Sequence, residues 1–169
     1  YVMISPSQYV RFVRTKKAGG CWDPAIHFVE EKILIRQIGK RPEASYVGQP
    51  LAFSGNLFSI IINQQEDAKY ILGLINSKLL KWFWEIEFWD FKTSFPQVTI
   101  TSLKRLPIRP IDFNNPDDVA KHDRMVALVN RMLELHEKLP KATGHNRTMI
   151  EREIAAKDNE IDHLVYLLE

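Results

Sequence analysis

The apolar positions of this chain change period twice. Up to about residue 63 they come in short runs cut by turn-forming residues. Gly19-Gly20 breaks the first basic and apolar stretch, and Lys32 to Ile38 (KILIRQI) forms a strand-like run closed by Gly39. A second β-rich block spans Ala44 to Asn63, with Gly48-Gln49-Pro50 and Ser54-Gly55-Asn56 as turns and Leu57 to Ile62 (LFSIII) as a buried strand. Two antiparallel strand pairs are expected from these blocks. Beyond Gln64 the period becomes helical. Ala68, Ile71, Leu72 and Ile75, then Leu79, Leu80 and Phe83, fall on helical spacing, and Ser77 is placed to cap a second helix. Phe88 to Val98 (FWDFKTSFPQV) reads as a loop, Val98 to Ile100 as a short strand, and Pro107 and Pro110 close the body.

From Pro116 onward the pattern is plainly helical. Asn115 is a candidate cap, Pro116 occupies the first helical position, and Asp117-Asp118 suit the positive end of the helix dipole. Met125, Leu128, Met132, Leu135 and Leu139 recur at steps of three and four, an a/d seam. A polar connector, Pro140 to Arg147, leads to a second helix with an apolar stripe at Ile150, Ile154, Ile161, Val165 and Leu168, interrupted by Lys157 and Asp158. The two helices pair most simply as an antiparallel hairpin. The fold class predicted is α+β: a mixed or antiparallel sheet with packed helices over residues 1–110, followed by a C-terminal antiparallel helical hairpin over 111–169.

Composition narrows the function classes. With 169 residues and 45% apolar content the chain can bury a real core, and 26% charged residues exclude wholesale disorder. No apolar run is long enough to span a membrane, and the start lacks the pattern of a secretory leader. Cys21, the single cysteine, has no internal disulfide partner, so a reducing cytosol is the expected setting. Tyr1 at the start and Leu168-Glu169 at the end read as marks of an excised piece. The net charge of +2 hides an asymmetry. Residues 1–110 carry 15 Lys and Arg against 9 Asp and Glu, a net of +6, whereas residues 111–169 carry 8 against 12, a net of −4. A basic body therefore bears an acidic tail, a polarity that suits contact with a polyanion without establishing it.

Catalytic patterns are weak by comparison. His27, His122, His136, His145 and His163 are scattered, Cys21 has no local base, and the seven glycines form no phosphate-binding loop. Asp90-Phe91-Lys92 or Asp117-Asp118 with Lys121 could be forced into a metal-dependent nuclease arrangement, but the second group already has an electrostatic reason at a helix start. No catalytic, cofactor or metal residue is therefore expected. Two features rise above this background. Trp82, Phe83, Trp84, Phe88, Trp89, Phe91 and Phe95 are interleaved with Lys81, Lys92, Thr93, Ser94 and Gln97; most of these rings are expected in the core, while the polar members suit nucleic acid. Arg36-Gln37 with Lys40-Arg41 beyond Gly39 could lay a basic edge along a phosphate backbone, or be an ordinary charged strand edge.

Three stretches, Lys32 to Gly39 (KILIRQIG), Tyr70 to Leu80 (YILGLINSKLL) and Phe95 to Pro107 (FPQVTITSLKRLP), in that order and spacing, resemble the TaqI-like C-terminal specificity domain of N6-adenine DNA methyltransferases and fused type IIG restriction-modification enzymes. The ending Ile161 to Leu167 (IDHLVYL) resembles the aspartate-containing helix that closes such chains, and the paired tail helices are similar to the spacer helices of type I specificity subunits. The resemblance implies a target recognition domain for double-stranded DNA. In such proteins a separate amino-terminal domain transfers a methyl group from S-adenosylmethionine to adenine. The Asn-Pro-Pro-Tyr motif of that domain is absent here, the nearest match being Asn115-Pro116-Asp117-Asp118. S-adenosylmethionine, and Mg2+ for any cleavage, are accordingly expected only in the parent protein, and the methyltransferase domain of the same parent chain becomes the expected partner.

The residues expected to touch DNA are Lys92, Thr93, Ser94 and Gln97 for bases or phosphates, and Arg36, Lys40 and Arg41 for the backbone, with Lys16 and Lys17 as further candidates. Asn76 and Pro96 are expected to shape the scaffold. The rival expectation is a protein-interaction module that self-associates through the helical seam.

Overall fold

A computed structural model describes residues 24–53, 55–62, 67–88 and 96–168. Along the chain these form α1 (Pro24–His27), β1 (Lys32–Arg36), β2 (Ala44–Val47), β3 (Leu57–Ile60), α2 (Ala68–Asn76), α3 (Lys78–Glu87), α4 (Ile100–Leu103), α5 (Pro116–Lys138), a 3-10 turn (Leu139–Lys141) and α6 (Gly144–Tyr166). The class is α+β, with an antiparallel sheet and a C-terminal helical pair, as expected.

The two antiparallel pairs share one strand. The sheet order is β2-β1-β3, with Ile35 opposite Ala44 on one side and opposite Phe58 on the other. Central placement explains why β1 reads as a nearly unbroken apolar run: Ile33, Leu34 and Ile35 are all buried, so both faces of the strand meet the interior. Lys32 is buried too. Its ammonium donates to the carbonyls of His27 (2.7 Å) and Val29 (3.2 Å), and burial lowers its pKa. The residues of β3 are only half-buried, not fully buried as the LFSIII run suggested, because β3 is an edge strand.

Helix α2 covers the sheet, and α5 packs on its outer side. That approach is close because residue 73 is glycine: a Cβ there would stand 2.5 Å from the Met125 sulfur and 3.1 Å from a Val129 methyl. One buried cluster runs from Ile33 and Ile35 through Ile71, Leu72 and Ile75 to Met125, Leu128 and Val129, and on to Ile161, Leu164, Val165 and Leu168. Most of the predicted seam is therefore spent inside the chain, with Met125, Leu128 and Leu135 buried and Met132 half-buried.

The caps are largely those read from the sequence. Ser77 ends α2 and caps α3, its hydroxyl accepting from Leu80 N–H, and Asn115 caps α5 by accepting from Asp117 N–H (3.0 Å). Two boundaries differ. Val98 to Ile100 is not a strand: Thr99 accepts from Ser102 N–H at 3.1 Å and caps the short helix α4, so its hydroxyl gives the backbone a local alternative to pairing. The connector between the long helices is shorter than Pro140 to Arg147, because α6 begins at Gly144, whose positive φ of 55° suits a residue without a Cβ.

Candidate nucleic-acid interface

The chain segment after β1 is held on three sides by backbone hydrogen bonds. Arg36 N–H donates to Glu43 O (3.2 Å), Gln37 N–H to Asn56 O (3.0 Å), Gly39 N–H to Pro96 O (3.0 Å), and Val98 N–H to Gln37 O (2.8 Å). The last two bonds flank an antiparallel bridge between Ile38 and Gln97. In such a pair the directly opposed residues make no bond to each other and their side chains stand close on one face. Gln97 is exposed, and so is Ile38 at 43%. The basic turn after β1 and residues 96–98, about sixty positions later in the sequence, are thus joined as one hydrogen-bonded ribbon.

The cations at this ribbon are not loose. Arg36 pairs with Glu43 at 3.0 Å, both side chains half-exposed, and its guanidinium lies over Gly39, where a Cβ would come within 3.0 Å of Nη2. Arg41 pairs with Glu85 of α3 at 3.5 Å. Lys40 is exposed beside them. The structure therefore brings Arg36, Lys40, Arg41 and Gln97 to one region. Lys92, Thr93, Ser94, Lys16 and Lys17 lie outside the described residues, as do Trp89, Phe91, Phe95 and Cys21.

The other candidates take structural positions. Trp84 is buried, with Phe88 packed against it at 5.0 Å and against Phe83 at 5.8 Å, while the Arg105 guanidinium stands 4.8 Å above the Phe88 ring. Trp82 is the exception, exposed at 58% beside Ile86 on the next turn of α3. His27 Nδ1 accepts from Phe53 N–H, and His122 packs between Tyr70 and Phe113. Asp118 does more than favour a helix dipole. It is buried, accepts from Arg109 (3.0 Å) and from Asp112 N–H (3.2 Å), and these contacts hold its carboxyl below the usual carboxylate range. Among the described residues no cluster of three or more His, Cys, Asp or Glu could hold a metal ion.

The motif residues have specific scaffold duties. The Asn76 amide grips Ala44 of β2 from outside the sheet, donating from Nδ2 to Ala44 O (3.0 Å) and accepting Ala44 N–H at Oδ1 (3.1 Å). It supplies the backbone partner that an edge strand lacks. Pro96 presents the carbonyl that receives Gly39. Asp162, from the closing helix, accepts Lys78 N–H at 2.8 Å and pairs with the Lys78 ammonium at 2.9 Å, filling the start of α3 from a distant part of the chain.

The described residues of the three stretches KILIRQIG, YILGLINSKLL and FPQVTITSLKRLP therefore belong to a single scaffold, and a model of the TaqI-like C-terminal specificity domain matches residues 1–108. The chain belongs to this family. A specificity domain is a non-catalytic part of a restriction-modification enzyme and has a DNA-recognition role. The chain is also similar to the type II restriction enzyme and methyltransferase Eco57I of Escherichia coli, at 21% identity over 166 residues. The match covers 95% of this chain and 16% of that relative. Among the described residues no helix is long and apolar enough to cross a membrane. Sequence reasoning missed Glu43 and Glu85, because nothing local marks them as partners of Arg36 and Arg41; only the fold brings them together.

Proposed function

We propose that this specificity domain reads duplex DNA through the ribbon formed by residues 36–41 and 96–98, and positions the duplex for adenine-N6 methylation by a catalytic domain of the same parent chain. The observation that carries this reading is the Ile38–Gln97 bridge, which joins the basic turn to residues 96–98 on one exposed face. Arg36, Lys40 and Arg41 would neutralise phosphates and fix register. Gln97 can pair bidentately with adenine, and Ile38 beside it offers the apolar contact that meets a thymine methyl. Lys92, Thr93 and Ser94 directly precede this element in sequence and extend the contact set, with Lys16 and Lys17 as additional phosphate contacts.

Residues 1–110 would then form the recognition domain and 111–169 the spacer hairpin that docks on the methyltransferase domain. S-adenosylmethionine chemistry, and any Mg2+-dependent cleavage, would belong to the rest of the parent, a bacterial cytoplasmic enzyme. The burial of Met125, Leu128 and Leu135 within a single chain favours this reading over self-association through that seam.

Fluorescence anisotropy with a mixed-sequence duplex between 50 and 200 mM salt tests it. The three cations Arg36, Lys40 and Arg41 contribute a log-log slope of about −2.7, at roughly −0.9 per phosphate neutralised, and R36Q/R41Q should lower its magnitude by about 1.8. Gln97→Ala should cost roughly 1 to 3 kcal/mol of discrimination at one base pair and little affinity for random duplex. A slope that R36Q/R41Q leaves unchanged would remove the ribbon from the DNA interface.

A further inference from the structure

Both arginines of the ribbon are held by carboxylates: Arg36 by Glu43 from the residue just before β2, and Arg41 by Glu85 from α3. Each contact is half-exposed, 52% on both sides in the first pair and 46% in the second. Half-exposed pairs of this kind contribute little net free energy, because water competes well for both partners. They still fix geometry. Gly39 adds to this by leaving room for the Arg36 guanidinium, whose Nη2 and Nε would lie 3.0 and 3.2 Å from a Cβ at that position. A carboxylate on a guanidinium presents oxygen acceptors much as a backbone phosphate does.

We infer that Glu43 and Glu85 are built-in stand-ins for two backbone phosphates, holding Arg36 and Arg41 in place in the DNA-free protein and giving them up when duplex binds. This rests on the DNA reading of the ribbon. The two carboxylates compete with phosphate for the arginines, so binding gives up these ion pairs before the phosphate contacts form. They also mask two cations from any polyanion that does not fit, so affinity for non-cognate duplex is held down.

The test is duplex affinity at about 0.15 M salt, where charges further than roughly 8 Å apart are largely screened. E43Q and E85Q should each tighten binding of random-sequence duplex by about 1.5- to 5-fold, the range of an exposed ion pair lost by the wild type on binding. E137Q, which neutralises an exposed acid near the end of α5, should leave affinity unchanged. In an R36Q background the gain from E43Q should vanish.

Equal affinities for E43Q, E85Q, E137Q and wild type would overturn the inference while leaving the DNA reading intact. Persistence of the E43Q gain in the R36Q background would overturn it as well, by showing a general charge effect. Failure of the wild type to bind any duplex would instead defeat the DNA reading, and this inference with it.

Discussion

Replacing Asn76 with alanine should loosen the edge of the sheet. The side-chain amide makes two hydrogen bonds to one residue, Ala44, whose other partner across the sheet is Ile35. Each such bond contributes about 0.5 to 1.5 kcal/mol net, and the site is half-buried, so water replaces the lost partner only in part. The expected loss is therefore about 2 kcal/mol, or roughly 4 to 8 °C in Tm for a chain of this size. Urea unfolding followed by circular dichroism and tryptophan fluorescence measures it. Asn76→Asp sharpens the test. At neutral pH its carboxylate could still accept Ala44 N–H but would face Ala44 O with no proton to donate, so its pKa in the fold would rise. The variant should regain stability as pH falls through about 5 to 4, where the acid form can donate again. A loss below about 0.5 kcal/mol for Asn76→Ala, or an Asn76→Asp deficit that does not shrink on acidification, would refute this account of the motif.

Gly73→Val should cost about 1 to 3 kcal/mol in the same unfolding assay, because its side chain enters the space of the Met125 sulfur; Met125→Ala should suppress part of that cost in a double-mutant cycle. The Asp118 pKa is depressed, by the Arg109 hydrogen bond first and then by Asp112 N–H, so its contribution is present above the unfolded value near 3.9 and lost as pH falls through the folded one. Asp118→Asn should accordingly flatten the acid limb of the stability profile below about pH 4, as read by urea midpoints from pH 2.5 to 6. Asp162→Ala should lower stability by about 1 to 2 kcal/mol through loss of the acceptor at the start of α3, with Asp162→Asn recovering most of it because one oxygen remains to accept Lys78 N–H. Urea midpoints for the two variants compare these costs directly.

What was legible in the sequence was local. Ser77 and Asn115 were readable as caps because a cap needs only a short polar side chain within three residues of the amide it serves. The helical spacing of Met125, Leu128 and Leu135 marked a buried stripe for the same reason. Thr99 shows the limit: Val98 to Ile100 looks like a strand by composition, yet one threonine hydroxyl bonding three residues ahead turned the segment into a helix start. The long-range contacts had no local signature. Asn76 reaches Ala44 across 32 residues and Asp162 reaches Lys78 across 84, and both positions were visible only as motif letters without a partner. The ribbon lies between these cases. Arg36, Lys40, Arg41 and Gln97 were named from residue type alone, whereas their meeting depends on the bridge from Ile38 to Gln97, which no single window contains.

The measurement closest to the central claim is a titration of the isotope-labelled protein with a short duplex, following backbone amide resonances. The account predicts that the largest shifts fall on residues 36–41 and on Gln97 and Val98, with α6 nearly unmoved. Shifts concentrated on α5 and α6, with the ribbon amides unchanged at saturation, would contradict it.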